Sequence, residues 1–370
     1  MRAERLVPRA DADDRGRSLL GAADAALRSR SPRDAHGLYE QVLAEATDAE
    51  VRADALAGLG FVAHQSGRPR EAVRLFEEYL RLTGREACER LDIAAALGHS
   101  CAAVGELERA TVVFEQCLRH AYSSGDRETQ VRFGMLLSYA LTDLGRFEQA
   151  EHAIANVVEA GEGSGDPLVR ARVEWAQARL YGEQKRPDVA AVHARAALDL
   201  LRPTDHKQFL GKTYELLASL TTDFGEPREA LALLREGWPL VLDAATPLDV
   251  AHYRIEEARA LAALGERDGA AAIAMRVAAQ LDGTHPGDAG RAYVLLGEIF
   301  DDLGEVARAR QLYETGIGLL SRQGPSRYLA DAYRRLGELF ETEYRTEDAV
   351  AVLRRALSIQ SHVERISTVA

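Results

Sequence analysis

Residues 293–313 read Tyr293-Val-Leu-Leu296-Gly297-Glu-Ile-Phe300-Asp-Asp-Leu-Gly304-Glu-Val-Ala-Arg-Ala309-Arg-Gln-Leu-Tyr313. Tyr293, Leu296, Gly297 and Phe300 stand at i, i+3, i+4 and i+7, which is one face of a helix. Ala309 and Tyr313, four apart, mark one face of a second helix. Gly304 falls where the first helix must end and suits a left-handed C-cap. The stretch predicts a helix–turn–helix hairpin. Gly297, having no side chain, lets its two helices approach closely.

Both phrases recur along the chain. The first returns as Leu56-x2-Leu59-Gly60-x2-Ala63, Ala94-x2-Leu97-Gly98-x2-Cys101, Tyr214-x2-Leu217-Ala218-x2-Thr221 and Tyr333-x2-Leu336-Gly337-x2-Phe340. The second returns as Gly67…Ala72…Phe76, Gly105…Ala110…Phe114, Gly145…Ala150…Ile154 and Gly225…Ala230…Leu234. These residues resemble the tetratricopeptide repeat. In that register repeats begin near Gly16, Ala53, Leu91, Val131, Ala171, Gly211, Ala251, Gly290 and Ala330, spaced 37 to 40 residues apart. One match to so loose a pattern says little, but nine in phase say a great deal. Two repeats are degenerate. In the one from Ala171, Lys185 stands for the inter-helix Gly and Ala194 for the bulky residue; in the one from Ala251, Arg254 takes the first apolar place.

A lone hairpin cannot bury its apolar face, so stacked neighbours share one core. The expected fold class is all-α, a right-handed α-α superhelical solenoid of about nine hairpins. A loose tail is expected over 1–15, one solenoid over 16–361 and a frayed end over 362–370.

Composition removes several functions. Across 370 residues the net charge is -12, against the basic footprint that phosphate neutralisation needs. No segment approaches the roughly 18–20 uninterrupted apolar residues of a membrane span. The first residues lack the apolar core of a signal peptide. Three cysteines make no disulfide framework, which fits a reducing cytoplasm. There is no GxxxxGK[ST], HExxH, GxSxG or Cys-x2-Cys, so no catalytic residue, metal site or cofactor is expected. Cys101 and Cys117 occupy core places and Cys88 lies near a repeat junction. The ten histidines are scattered and none forms a close pair. Asp301, Asp302, Glu298, Glu338 and Glu341 read as a solvated, acidic face.

The resemblance to tetratricopeptide proteins implies a concave groove lined by the first helix of each hairpin. The stripe beside the core then gives candidate partner-binding residues Phe61, His64, His99, Arg132, Met135, Tyr139, Arg172, Trp175, Arg179, Glu215 and Arg259. Its centre joins aromatics to guanidinium forks, common interface anchors that also suit carboxylates. The expected groove has an apolar, basic centre and an acidic C-terminal end. Two alternatives stand beside this reading. Trp175 fills a hole left by the degenerate repeat, or the register there is off by one and Trp175 belongs to the core. The single asparagine, Asn156, lies off the stripe, which argues against Asn-based clamping of a terminal carboxylate and against Asn-based gripping of peptide backbone.

A narrower resemblance is to the C-terminal repeat region of actinobacterial XRE-type helix-turn-helix regulators. It rests on Tyr181-Gly-Glu-Gln-Lys185 through Trp238-Pro-Leu, on Ile255-Glu-Glu-Ala-Arg-Ala-Leu-Ala-Ala-Leu-Gly265 and on His285-Pro-Gly-Asp-Ala-Gly-Arg-Ala-Tyr293, with Arg9-Ala-Asp-Ala-Asp-Asp14 ahead of the first repeat. A DNA-reading domain needs about 60 residues before the repeats. The resemblance therefore implies a sensing half alone, with the reader absent or encoded upstream. The expectation is a cytoplasmic bacterial scaffold that holds a protein or peptide segment, binds no nucleic acid or membrane directly, and is compatible with a homodimer.

Overall fold

The computed structural model describes the backbone of residues 9–29, 31–244, 247–283, 285–322 and 324–369. It describes side chains over 14–29, 31–242, 248–283, 285–322, 324–326 and 328–361. Among the described residues there are eighteen α-helices, one 3-10 turn at Ala87–Glu89 and no strand. The chain divides into two compact units, 1–101 and 102–370, where the sequence leads one to expect a single run.

Unit 1 contains the hairpins α1 (Arg9–Arg28) with α2 (Pro32–Glu45) and α3 (Ala49–Gln65) with α4 (Pro69–Thr83). Most of α5 (Leu91–Ala103) follows. Helix α1 starts inside the segment expected to be a tail. The close approach predicted for the repeat is present: a Cβ on Gly60 would lie 2.6 Å from the Phe76 ring, and Phe76 is fully buried.

Unit 2 begins with α6 (Leu107–Ser124), which packs on α7 (Arg127–Asp143). Its hairpins are α7 with α8 (Phe147–Gly161), α9 (Pro167–Glu183) with α10 (Pro187–Leu201), and α11 (Lys207–Asp223) with α12 (Pro227–Ala244). Then come α13 (Pro247–Ala263) with α14 (Arg267–Leu281), α15 (Pro286–Asp302) with α16 (Val306–Ser321), and α17 (Arg327–Thr342) with α18 (Thr346–Val369). Helix α18 thus runs past the boundary expected at 361. The odd-numbered helices from α7 to α17 each touch the next odd-numbered one and form an inner wall. The last helix, α18, meets α8.

The two degenerate repeats keep the fold by different means. Lys185 stands in for the turn glycine and adopts its left-handed conformation, with φ of 60°. Tyr344 does the same in the last hairpin, at 58°. Ala194 is buried among Ala171, Ala178, Leu198, Tyr214 and Leu217, so larger neighbours fill the volume it leaves. Around Ala251 the register is settled by Tyr253, which is 2% exposed and donates from its hydroxyl to the Leu234 carbonyl at 2.9 Å. Arg254 moves outward, its guanidinium carbon 4.0 Å from the Trp238 ring centre.

Candidate functional site

The eleven candidate residues fall on both units. Phe61, His64 and His99 belong to unit 1, where α3 and α5 present them. Phe61 is half-buried, edge-on to Phe76 at 5.2 Å. His64 and His99 are stacked with ring centres 6.4 Å apart, and His64 Nδ1 lies 3.0 Å from the Ser100 hydroxyl. The scattered histidines of the sequence therefore include one close pair. The repeat period places matching turns of consecutive helices side by side. Cys88, Cys101 and Cys117 are buried, and among the described residues none is in a disulfide.

The other eight line the inner wall of unit 2. Its centre is an aromatic row: Tyr139 and Trp175 are 4.7 Å apart, and Trp175 and Phe209 6.1 Å. Trp175 and Met135 are each 8% exposed, so they form the floor of the wall and do not project from it. This joins the two readings of Trp175, which sits on the predicted stripe and is also packed.

The arginines are less free than their sequence suggests. Arg179 covers Tyr139, with 5.1 Å to the ring centre, and its Nη2 donates to Asp143 at 2.6 Å. Burial disfavours the Arg179 charge, but Asp143 outweighs it and raises its pKa. Arg259 donates to Asp223 at 2.5 Å, to Glu256 at 2.6 Å and to Ser219 at 3.0 Å. Arg172 differs. Its carboxylate neighbour, Glu128, is 3.7 Å away, and burial together with the nearby Arg132 lowers its pKa. The basic centre thus narrows to Arg132 and Arg172.

Four buried side-chain atoms here have no hydrogen-bond partner: Tyr139 Oη, Arg172 Nη1, Trp175 Nε1 and Arg179 Nε. Each carries a desolvation cost of about 1–3 kcal/mol, which proteins rarely leave uncompensated.

Farther along lies a charged network. Lys212 and Asp249 are 2.9 Å apart, His252 and Asp288 2.8 Å, and Arg291 and Asp288 3.6 Å. Glu215 stands in their midst, and burial pushes it up to about 7. Burial would raise Asp288 too, but His252 and Arg291 hold it at about 2. The expected acidic end is offset by Arg334, bonded to Asp331 and Glu338, and by Arg335, 3.1 Å from Glu298. Sequence reasoning missed the carboxylates Asp143, Asp223 and Asp288. The available signal was spacing: Arg179 and Arg259 each lie 36 residues after their aspartate, and His252 lies 36 before its own.

Among the described residues no cluster of three or more His, Cys, Asp or Glu could hold a metal ion, and no helix is long and apolar enough to cross a membrane.

Tetratricopeptide-repeat family models match residues 20–87 and 290–319. Solved structures with the same fold include a tetratricopeptide repeat protein from Parabacteroides merdae ATCC 43184. It has a TM-score of 0.51 at 16% identity over 77% of this chain and 98% of that one. A Rap protein complexed with Competence and Sporulation Factor has a TM-score of 0.55 at 16% identity, over 86% and 99%. The apo quorum sensor NprR from B. thuringiensis has 0.57 at 14%, over 83% and 87%. No curated protein matches the chain. The chain carries tetratricopeptide repeats, and its fold is the all-α solenoid of helical hairpins that such repeats build.

Proposed function

We propose that unit 2 is a non-catalytic binding module that holds a protein or peptide segment along its inner wall. The observation that carries this is the row of Tyr139, Trp175 and Phe209 along three consecutive inner helices, with Arg172 and Arg179 beside it. Arg, Tyr and Trp are also the residues most often found as binding anchors.

The setting is bacterial signalling or transcriptional regulation in the cytoplasm. Fold similarity to the Rap protein with its bound factor and to the quorum sensor NprR supports that setting. So does the sequence resemblance to repeat regions of XRE-type regulators. In the regulator version the DNA-reading domain lies upstream in frame, and sequencing 5′ of Met1 decides it.

The test is selection of binders from a displayed random-peptide library by the full chain, repeated with Arg132→Ala/Arg172→Ala. Arg132 is half-buried and the Arg172 side chain is 17% exposed, so the variant is first checked for unchanged helical circular dichroism and should then lose the selected binders. Selection of the same binders by the variant would overturn the assignment.

A further inference from the structure

The last four hairpins of unit 2 turn along one edge, where α11, α13, α15 and α17 end. Ion pairs set consecutive turns side by side. Arg259 reaches Asp223, Arg267 is 3.8 Å from Asp302, and Arg310 is 3.6 Å from Glu343.

This edge is apolar where a turn is ordinarily polar. Phe224 is 60% exposed and Leu303 40%, with Leu264 half-buried between them. All three hold the same place, one residue before the turn glycine, so the repeat lays them in a row. Tyr344 extends the row by taking the glycine place itself, at a φ of 58° and 93% exposed. The chain bears that backbone cost and recovers no packing from the ring. Backbone strain persists where it serves function, and a row of exposed large apolar groups marks an interaction surface.

Charge and spacing then select the occupant. Over 223–229, 263–268, 301–308 and 341–348 there are twelve carboxylates against four arginines. Arg195, Arg259 and Arg310 reach in to Glu229, Asp223 and Glu343, and carboxylates still predominate. Asp301 registers this, its pKa raised by burial and then by Asp302. Packed helices lie about 8–10 Å apart, which sets the step from turn to turn. A helix rises about 1.5 Å per residue, so residues seven apart recur on one face at about the same step. An extended strand covers that step in about three residues, which point to opposite faces. A helix therefore matches the row and a strand does not.

We propose that the edge from Phe224 to Tyr344 docks a basic amphipathic helix of a partner protein. Its apolar residues, seven apart, lie on Phe224, Leu264, Leu303 and Tyr344. Its lysines or arginines face the flanking carboxylates, the charge match that steers such encounters. This surface is separate from the inner wall, and the proposal does not depend on what that wall holds.

The probe is a labelled synthetic helix of about 25 residues, with Leu at heptad spacing and Lys on both flanks. One control replaces each Lys by Glu, and another replaces each Leu by Ser. Anisotropy with the full chain, near physiological salt, should show the Lys/Leu helix binding at least about tenfold tighter than either control. Phe224→Ser and Tyr344→Gly should each weaken it by a similar factor. Tyr344→Gly relieves the strained turn, so its loss of binding with no fall in melting temperature could not come from misfolding. Arg132→Ala/Arg172→Ala, on the inner wall, should bind as the parent does.

No binding of the Lys/Leu helix, or equal binding of either control, would overturn the proposal. So would binding that survives both edge variants, or binding lost in the inner-wall variant. Self-association of the chain that disappears in Tyr344→Gly would assign the edge to a second copy and overturn it too.

Discussion

Arg179 reaches from α9 to α7 and donates to Asp143 at 2.6 Å, tying one hairpin to the previous one. The same tie recurs two repeats later as Arg259 with Asp223. Both partners of the first pair are about three-quarters buried, so neither charge is left to bulk water. Removing one partner strands the other. Asp143→Asn and Arg179→Met should each cost about 1–3 kcal/mol in urea unfolding. The double variant should cost less than the sum, with a coupling of about 1–2 kcal/mol. Additive losses would show that the pair is ornamental.

The stability that Glu215 and His252 contribute should fall as pH rises from about 5 to 8, while His285, lowered by burial, acts in the opposite direction. Glu215, pushed up to about 7 by burial, holds its proton more tightly folded than unfolded, where the ordinary value is near 4.5. That contribution is complete below the ordinary value and is lost as pH rises through about 7. His252 acts in the same direction: Asp288 and Glu215 outweigh burial and raise it above 6.5, so its contribution also disappears on the alkaline side. The groups facing Glu215 are Lys212, Asp249, His252 and Glu256. Asp288, held near 2, matters only in strong acid. Glu215→Gln should flatten the profile by on the order of 2 kcal/mol, read from melting at successive pH values.

Two side chains occupy left-handed backbone that favours glycine. Lys185 and Tyr344 are exposed, Tyr344 at 93%, so neither contributes packing at its turn. Lys185→Gly and Tyr344→Gly should each raise stability by about 1 kcal/mol, the relief of strain less the added freedom of the unfolded chain. A lower melting temperature in either variant would contradict this.

Two glycines should respond in opposite ways to alanine. At Gly297 a Cβ would lie 2.6 Å from the Tyr313 ring, which is 1% exposed and has nowhere to go. Gly297→Ala should cost about 1–3 kcal/mol through overpacking. At Gly318, on the exposed side of α16, a Cβ meets nothing within 4 Å. Gly318→Ala should stabilise by about 0.5–1 kcal/mol through helix propensity. Denaturant midpoints of the pair check both signs.

The hairpins were legible because the pattern that writes them is local. Leu296, Gly297 and Phe300 meet Tyr313 within one hairpin, and spacing along the chain encodes that meeting. Tyr253 was not legible as the core residue of its repeat, because Arg254 next to it occupies the patterned position. Only the bond from Tyr253 to Leu234 decides between them. The stripe likewise placed Trp175, Tyr139 and Arg179 on one wall. Their state of pairing depends on Asp143, one repeat away, and on how deeply Trp175 sinks between Tyr139 and Phe209. Those facts belong to packing between hairpins, which a periodic pattern does not carry.

The meeting of α18 with α8 brings together helices from the two ends of unit 2. The contact joins the end of unit 2 to its first hairpin, so the unit is held by packing between distant parts of the chain as well as between neighbouring repeats.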